Sequence, residues 1–69
     1  MIKFYHITNC PMCEMLEEEL QERNIAYESI MDENILREKN IIHVPALEVN
    51  GKILNLAESL KWVNENDWH

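Results

Sequence analysis

With 69 residues, 46% of them hydrophobic and 28% charged, and with one glycine and two prolines, the chain has room for a single domain over residues 1–69 and none for a linker or disordered tract. A formal net charge of −7 opposes nucleic acid or an anionic membrane surface as partner. No stretch is long enough to span a bilayer and no basic-then-apolar leader opens the chain, so a cytoplasmic location away from membranes is expected.

Ile2 to His6 combines apolar and aromatic residues in a short run bounded by Thr8-Asn9, which predicts a first strand. Pro11 then opens a helix, because a first-turn residue needs no N–H donor there. Cys13, Leu16 and Leu20 recur at helical spacing, with Met12 and Met15 beside them, and predict a helix to about Glu22 or Arg23 that Asn24 ends. The opposite face carries Glu14, Glu17, Glu18, Glu19 and Glu22 and reads as solvated. Ile25 to Ile30 reads as a second strand, giving a βαβ unit whose strands run parallel. Asp32 caps a short helix through Ile35, Leu36 and Lys39, which Asn40 ends in the left-handed conformation.

After Ile41-Ile42-His43-Val44, Pro45 stands at the start of a third strand, where a missing N–H is tolerated. Asn50-Gly51 between apolar residues predicts a hairpin, with Leu47 and Val49 on one face and Ile53 joining them across it. Asn55 caps a last helix, with Glu58 completing a capping box and Leu56, Leu60 and Val63 forming its buried stripe near Ala57. Trp62 covers the core edge, and Asp67-Trp68-His69 frays. The order is β-α-β-α-β-β-α without an internal repeat: an α/β fold with a four-stranded mixed sheet flanked by helices.

Cys10-Pro11-Met12-Cys13 carries the chemistry. Both cysteines fall where a strand hands over to a helix, and unpaired N–H groups and the positive end of the helix dipole would stabilise a thiolate at Cys10. Cys13, one turn further in, is close enough to close a disulfide. A bridge across so short a loop would constrain the unfolded chain little, so redox or metal chemistry explains the pair better than structural stapling. The same C-x-x-C suits soft ions, and a copper or zinc carrier is the alternative reading. Zinc would need two more ligands, for which His6 and His43 remain formally available.

With Cys10-Pro11-Met12-Cys13 after the first strand, Val44-Pro45 before the third, and Asn50-Gly51-Lys52 at the hairpin, the chain resembles a glutaredoxin of the thioredoxin-fold superfamily over its whole length. The resemblance implies a small dithiol redoxin in which Cys10 is the nucleophile and Cys13 the resolving thiol. It also implies a cis Val44-Pro45 bond facing the dithiol, with the Val44 backbone pairing with substrate and Pro11 and Met12 on the substrate side. No cofactor is implied beyond the reversible Cys10-Cys13 disulfide, and a monomer is expected.

Glutathione-using members carry a lysine three positions before the first cysteine, an aromatic before the second and Gly-Gly-Asp at the last helix. Here Ile7, Met12 and Leu54-Asn55 stand instead, which counts against glutathione as reductant. The pattern resembles the small redoxins that serve ribonucleotide reductase and are recharged by a thioredoxin reductase, although their aromatic-rich C-terminal signature is absent. The partners implied are a disulfide-containing client protein and one of those two reductants. His43 replaces the family's usual threonine and is a candidate for tuning the Cys10 pKa, as, more weakly, is His6.

Overall fold

In the computed structural model, which describes residues 2–65, the elements run β1 (Ile2–Tyr5), α1 (Pro11–Glu22), β2 (Tyr27–Ile30), α2 (Glu33–Glu38), β3 (Ala46–Val49), β4 (Lys52–Leu54) and α3 (Leu56–Glu65). This is the expected element order, and the sheet is four-stranded and mixed, in the order β2-β1-β3-β4. β1 pairs in parallel with β2 and antiparallel with β3, which continues antiparallel into β4. The fraying expected of Asp67-Trp68-His69 falls outside the described residues.

Successive side chains of a strand point to opposite faces, so a strand that buries two neighbours must be covered on both sides. Phe4 and Tyr5 of β1 are both fully buried. Phe4 joins Cys13, Leu16, Leu20, Leu47, Leu54 and Val63 under α1 and α3. Tyr5 joins Leu36 and Ala46 beneath the shorter α2, with Ile30, Ile35 and Ile41 packed against them. Each large apolar side chain removed from water in this way contributes about 1.5–3 kcal/mol.

Asparagine does the work that glycine does in most chains. The non-glycine residues with left-handed φ are Asn9 (55°), Asn24 (56°), Asn40 (57°) and Asn50 (52°). Two of them end helices by the same device. At α1 the Asn24 N–H donates to the Gln21 carbonyl at 3.1 Å and the Ile25 N–H to the Leu20 carbonyl at 3.0 Å. At α2 the Asn40 N–H donates to Arg37 at 3.0 Å and the Ile41 N–H to Leu36 at 2.9 Å. Both are Schellman stops, in which a left-handed residue lets two N–H groups reach back to the last-turn carbonyls. Their sequences are also alike: Leu20-Gln21-Glu22-Arg23-Asn24-Ile25 and Leu36-Arg37-Glu38-Lys39-Asn40-Ile41. The chain therefore does carry a short repeat, of a helix stop rather than of a domain. Because Ile25 is held in that stop, β2 begins at Tyr27 and not at Ile25.

Four further expectations are corrected. β1 ends at Tyr5, although the His6 N–H still reaches the Ile30 carbonyl at 3.1 Å. Ile53 does not share the face of Leu47 and Val49: the two-residue turn pairs Val49 with Lys52 and Glu48 with Ile53, so Leu54, opposite Leu47, takes the core place. On α3 the buried positions are Ser59 and Val63, with Leu56, Leu60 and Trp62 half-buried, while Ala57 faces out. Ser59 is accommodated because its Oγ donates to the Leu54 carbonyl at 3.2 Å. The acidic face of α1 is solvated at Glu14, Glu18 and Glu22, whereas Glu17 accepts from the Tyr27 hydroxyl at 2.8 Å and Glu19 pairs with Arg23.

On the α2 side of the sheet one carboxylate oxygen holds two donors. Glu48 Oε1 accepts from the Tyr5 hydroxyl at 2.6 Å and from Lys39 Nζ at 3.0 Å. The Tyr5 bond, then the Lys39 bond, hold the Glu48 carboxyl below its usual range, while burial and Glu48 push the Tyr5 phenol well above its own.

In denaturant unfolding, Asn24→Ala lowers stability by about 1 kcal/mol while Asn24→Gly changes it by only a few tenths, since only the former meets the left-handed penalty; equal losses would contradict the helix-stop account. Glu48→Ala costs about 1–3 kcal/mol by stranding the buried Tyr5 hydroxyl. A carboxyl with a lowered folded pKa contributes stability that is full above its unfolded pKa of about 4.3 and is lost as pH falls through the folded value. Wild type therefore loses more stability than Glu48→Gln on acidification below that point, and parallel profiles would remove Glu48 from the acid response.

Candidate functional site

The parallel pairing of β1 with β2 and the antiparallel pairing of β1 with β3 bring three chain ends to one rim. Tyr5 lies opposite Ile30 at the end of β2 and opposite Ala46 at the start of β3. The segment leaving β1 and the segment entering β3 thus meet at the same edge, and these segments hold Cys10 and Pro45.

Cys10 is the N-cap of α1, with an extended backbone at φ −123° and ψ 99°. Its carbonyl receives the first helical bond, from the Glu14 N–H at 3.0 Å. Its Sγ accepts from the Cys13 N–H at 3.1 Å, in the manner of a serine or aspartate cap oxygen. The sequence-predicted nucleophile is thereby also the cap of the helix it starts. Pro11 occupies the first helical turn and is exposed.

Cys10 and Cys13 form a disulfide, with Cα atoms 5.2 Å apart. Their surroundings differ sharply. Cys13 is 2% exposed and belongs to the core with Phe4, Leu16 and Leu47, whereas Cys10 is half-buried and packs against that cluster. Of the two sulfurs, the one on the Cys10 side can be approached by a large partner. Met12, at 45% exposure, Ile7 and the outward-pointing Ile42, at 86%, supply exposed apolar surface in the loops and first turn of this rim.

The Val44-Pro45 bond is cis, as the resemblance implied. Pro45 is fully buried, and Val44 is half-buried between the two cores, packing against the same cluster as Cys10. His43 is exposed and lines a cleft of about 240 Å³ with Ile42, Ala46, Ile53, Asn55 and Glu58. His6 is engaged elsewhere. Its ring stacks on Phe4 at 4.4 Å between centroids, and its Nε2 is hydrogen-bonded to Ser29 Oγ. Neither imidazole is hydrogen-bonded to a cysteine among the described residues. No group of three or more His, Cys, Asp or Glu side chains that could hold a metal is assembled among those residues, so the four-ligand set of Cys10, Cys13, His6 and His43 does not form.

The start of α3 closes the far side of the cleft. The Asn55 N–H donates to Glu58 Oε1 at 3.0 Å, and the Glu58 N–H donates to Asn55 Oδ1 at 2.8 Å, the reciprocal box that the spacing predicted. Two features of the rim had no such forecast. Asn9 takes a left-handed backbone next to Cys10, and Ile42 points to solvent. The scarcity of glycine was the available signal for the first, since asparagine is the next residue to tolerate that conformation.

No protein-family model matches the chain, and no curated protein matches it. Solved structures do. The crystal structure of a mutant of thioredoxin-like protein BC3987 superposes with a TM-score of 0.75 at 21% identity, over 94% of this chain and 96% of that one. Leishmania TDR1, a trimeric glutathione transferase, superposes with a TM-score of 0.74 at 19% identity, over 94% of this chain but 16% of its own length. The fold is thioredoxin-like, and it carries a close cysteine pair at the β1–α1 junction. No helix among the described residues is long and apolar enough to cross a membrane.

The difference in exposure sets the expected order of labelling. When the reduced chain is treated with a limiting alkylating reagent and digested, peptide mass spectrometry should find the label on Cys10 about tenfold or more over Cys13; comparable labelling of both would contradict the assignment of Cys13 to the core.

Proposed function

We propose that the chain is a dithiol redoxin that reduces a disulfide in a client protein by thiol–disulfide exchange, with Cys10 as nucleophile and Cys13 as resolving thiol. The observation that carries this reading is the asymmetry of the pair: one sulfur capping a helix at an accessible rim, the other buried one turn behind it. In the reduced state the Cys13 N–H and the positive end of α1 favour a thiolate at Cys10. That thiolate attacks one sulfur of the client disulfide, forming a mixed disulfide and releasing the other client sulfur as a thiolate. Cys13, deprotonated, then attacks Cys10 Sγ, releases the second client thiolate and closes the Cys10-Cys13 disulfide. Two electrons pass to the client, and an external dithiol returns them. The exposed Met12 and the Val44-Pro45 segment are read as the contact side for the client chain.

The reductant is better read as a thioredoxin reductase than as glutathione. Ile7 offers no charge to a glutathione carboxylate, and at the start of α3 the cap residue Asn55 and Glu58 already bond each other, the Glu58 carboxylate adding a negative charge beside any incoming one. Ribonucleotide reductase is the client class suggested by the resemblance. The reading includes no cofactor other than the disulfide, a monomer, and a reducing cytoplasmic setting. Tuning of Cys10 by His43 remains part of it and is tested by whether His43→Ala shifts the pH at which Cys10 alkylates.

The cysteine variants test the order of events. Cys10→Ser should abolish client reduction, whereas Cys13→Ser should complete the first step and accumulate a mixed disulfide through Cys10, visible as an adduct that reductant removes. Loss of function in both without any adduct would sink the assignment of roles. Stoichiometric copper or zinc in the chain purified under reducing conditions would instead favour the carrier reading of the same two sulfurs.

A further inference from the structure

We propose that Asn9 is a positioning residue for the nucleophile: its left-handed backbone is what aims Cys10 Sγ at the Cys13 N–H. The proposal rests on the redoxin reading above for its importance, but its observations are independent of it. Of the left-handed asparagines, Asn24 and Asn40 end helices and Asn50 forms a hairpin turn, each within a hydrogen-bonded turn that needs that conformation. Asn9, with φ 55°, ends no helix and lies in no hairpin. It is exposed, and its side chain enters none of the hydrogen bonds of the site. What it does have is its place, directly before the residue that must be extended and turn its side chain back over the helix start.

The geometry links the two. The chain leaves β1 bound through the His6 N–H to Ile30, and by Cys10 it must have reversed so that the Cys10 carbonyl meets the Glu14 N–H and Sγ meets the Cys13 N–H. A left-handed residue at position 9 makes that reversal in one step. If position 9 relaxes to an extended or right-handed backbone, the Cα–Cβ direction of Cys10 rotates and Sγ leaves the N–H that stabilises its thiolate. Asparagine and glycine tolerate the conformation, and a β-branched residue resists it.

The test uses the reduced full-length chain, iodoacetamide, and the pH profile of Cys10 alkylation, with thermal unfolding to confirm folding. Asn9→Gly should rescue the wild-type rate to within about twofold, Asn9→Val should slow alkylation at neutral pH by about threefold to tenfold and move the profile to higher pH, and Asn9→Ala should fall between. Asn24→Val, at an equally left-handed position away from the site, should lose stability with the profile unmoved. A wild-type profile in folded Asn9→Val overturns the proposal, as does an equal shift in Asn24→Val. Should Asn9→Val not fold, Asn9→Ala with a wild-type profile does the same. Client turnover is not read, so failure here leaves the exchange chemistry standing, and failure of the cysteine variants leaves the positioning result standing.

Discussion

β1 presents Phe4 and Tyr5 to opposite sides, and a chain of 69 residues must find cover for both. That requirement sets the layers: α1 and α3 over Phe4, α2 over Tyr5. It also sets the place of chemistry. A strand covered by the helix that follows it must turn over at its C-terminal end, and the parallel β2 and antiparallel β3 deliver their own ends to the same rim. The cysteine pair lies at that rim with one member locked into the Phe4 core, so the burial that stabilises the fold also separates the two cysteines in exposure.

The helices are begun and ended by side chains and backbones suited to a glycine-poor sequence. Asn24 and Asn40 close α1 and α2 in the same six-residue pattern, and Asn55 with Glu58 opens α3. α1 is different, because its cap is Cys10. A cysteine sulfur in that role is a weak acceptor as a thiol and a much better one as a thiolate, so the capping interaction itself favours the reactive state. The helix start and the Cys10 sulfur are coupled through one hydrogen bond, and the left-handed Asn9 stands directly before it.

Much of this was legible in the residues. Periodicity placed all seven elements to within about two residues, and Pro11, Asn24, Asp32, Asn40, Asn50-Gly51 and Asn55 marked the boundaries they mark in the structure. What escaped has particular causes. The face of Ile53 depended on hairpin register, and the alternation of apolar residues fits two registers one residue apart. Ser59 does not fit an apolar stripe, because a polar residue there is explained only by its bond to the Leu54 carbonyl, a contact across the helix start. The cis state of Val44-Pro45 came from resemblance, since spacing does not distinguish it from an ordinary strand-start proline. Comparison of sequences found no relative, whereas comparison of structures found the fold at about a fifth identity, because burial pattern survives substitution that erases sequence likeness.

On the proposed reading, the rim passes electrons between a dithiol reductant and a client disulfide through Cys10 and Cys13. The most direct measurement is steady-state NADPH oxidation with a disulfide substrate, run once with thioredoxin reductase and once with glutathione and its reductase as the recycling system. A redoxin of this kind gives turnover that depends on the chain with thioredoxin reductase and little with glutathione. Absence of turnover with both, by a chain shown to be folded and to carry both thiols free, would contradict it.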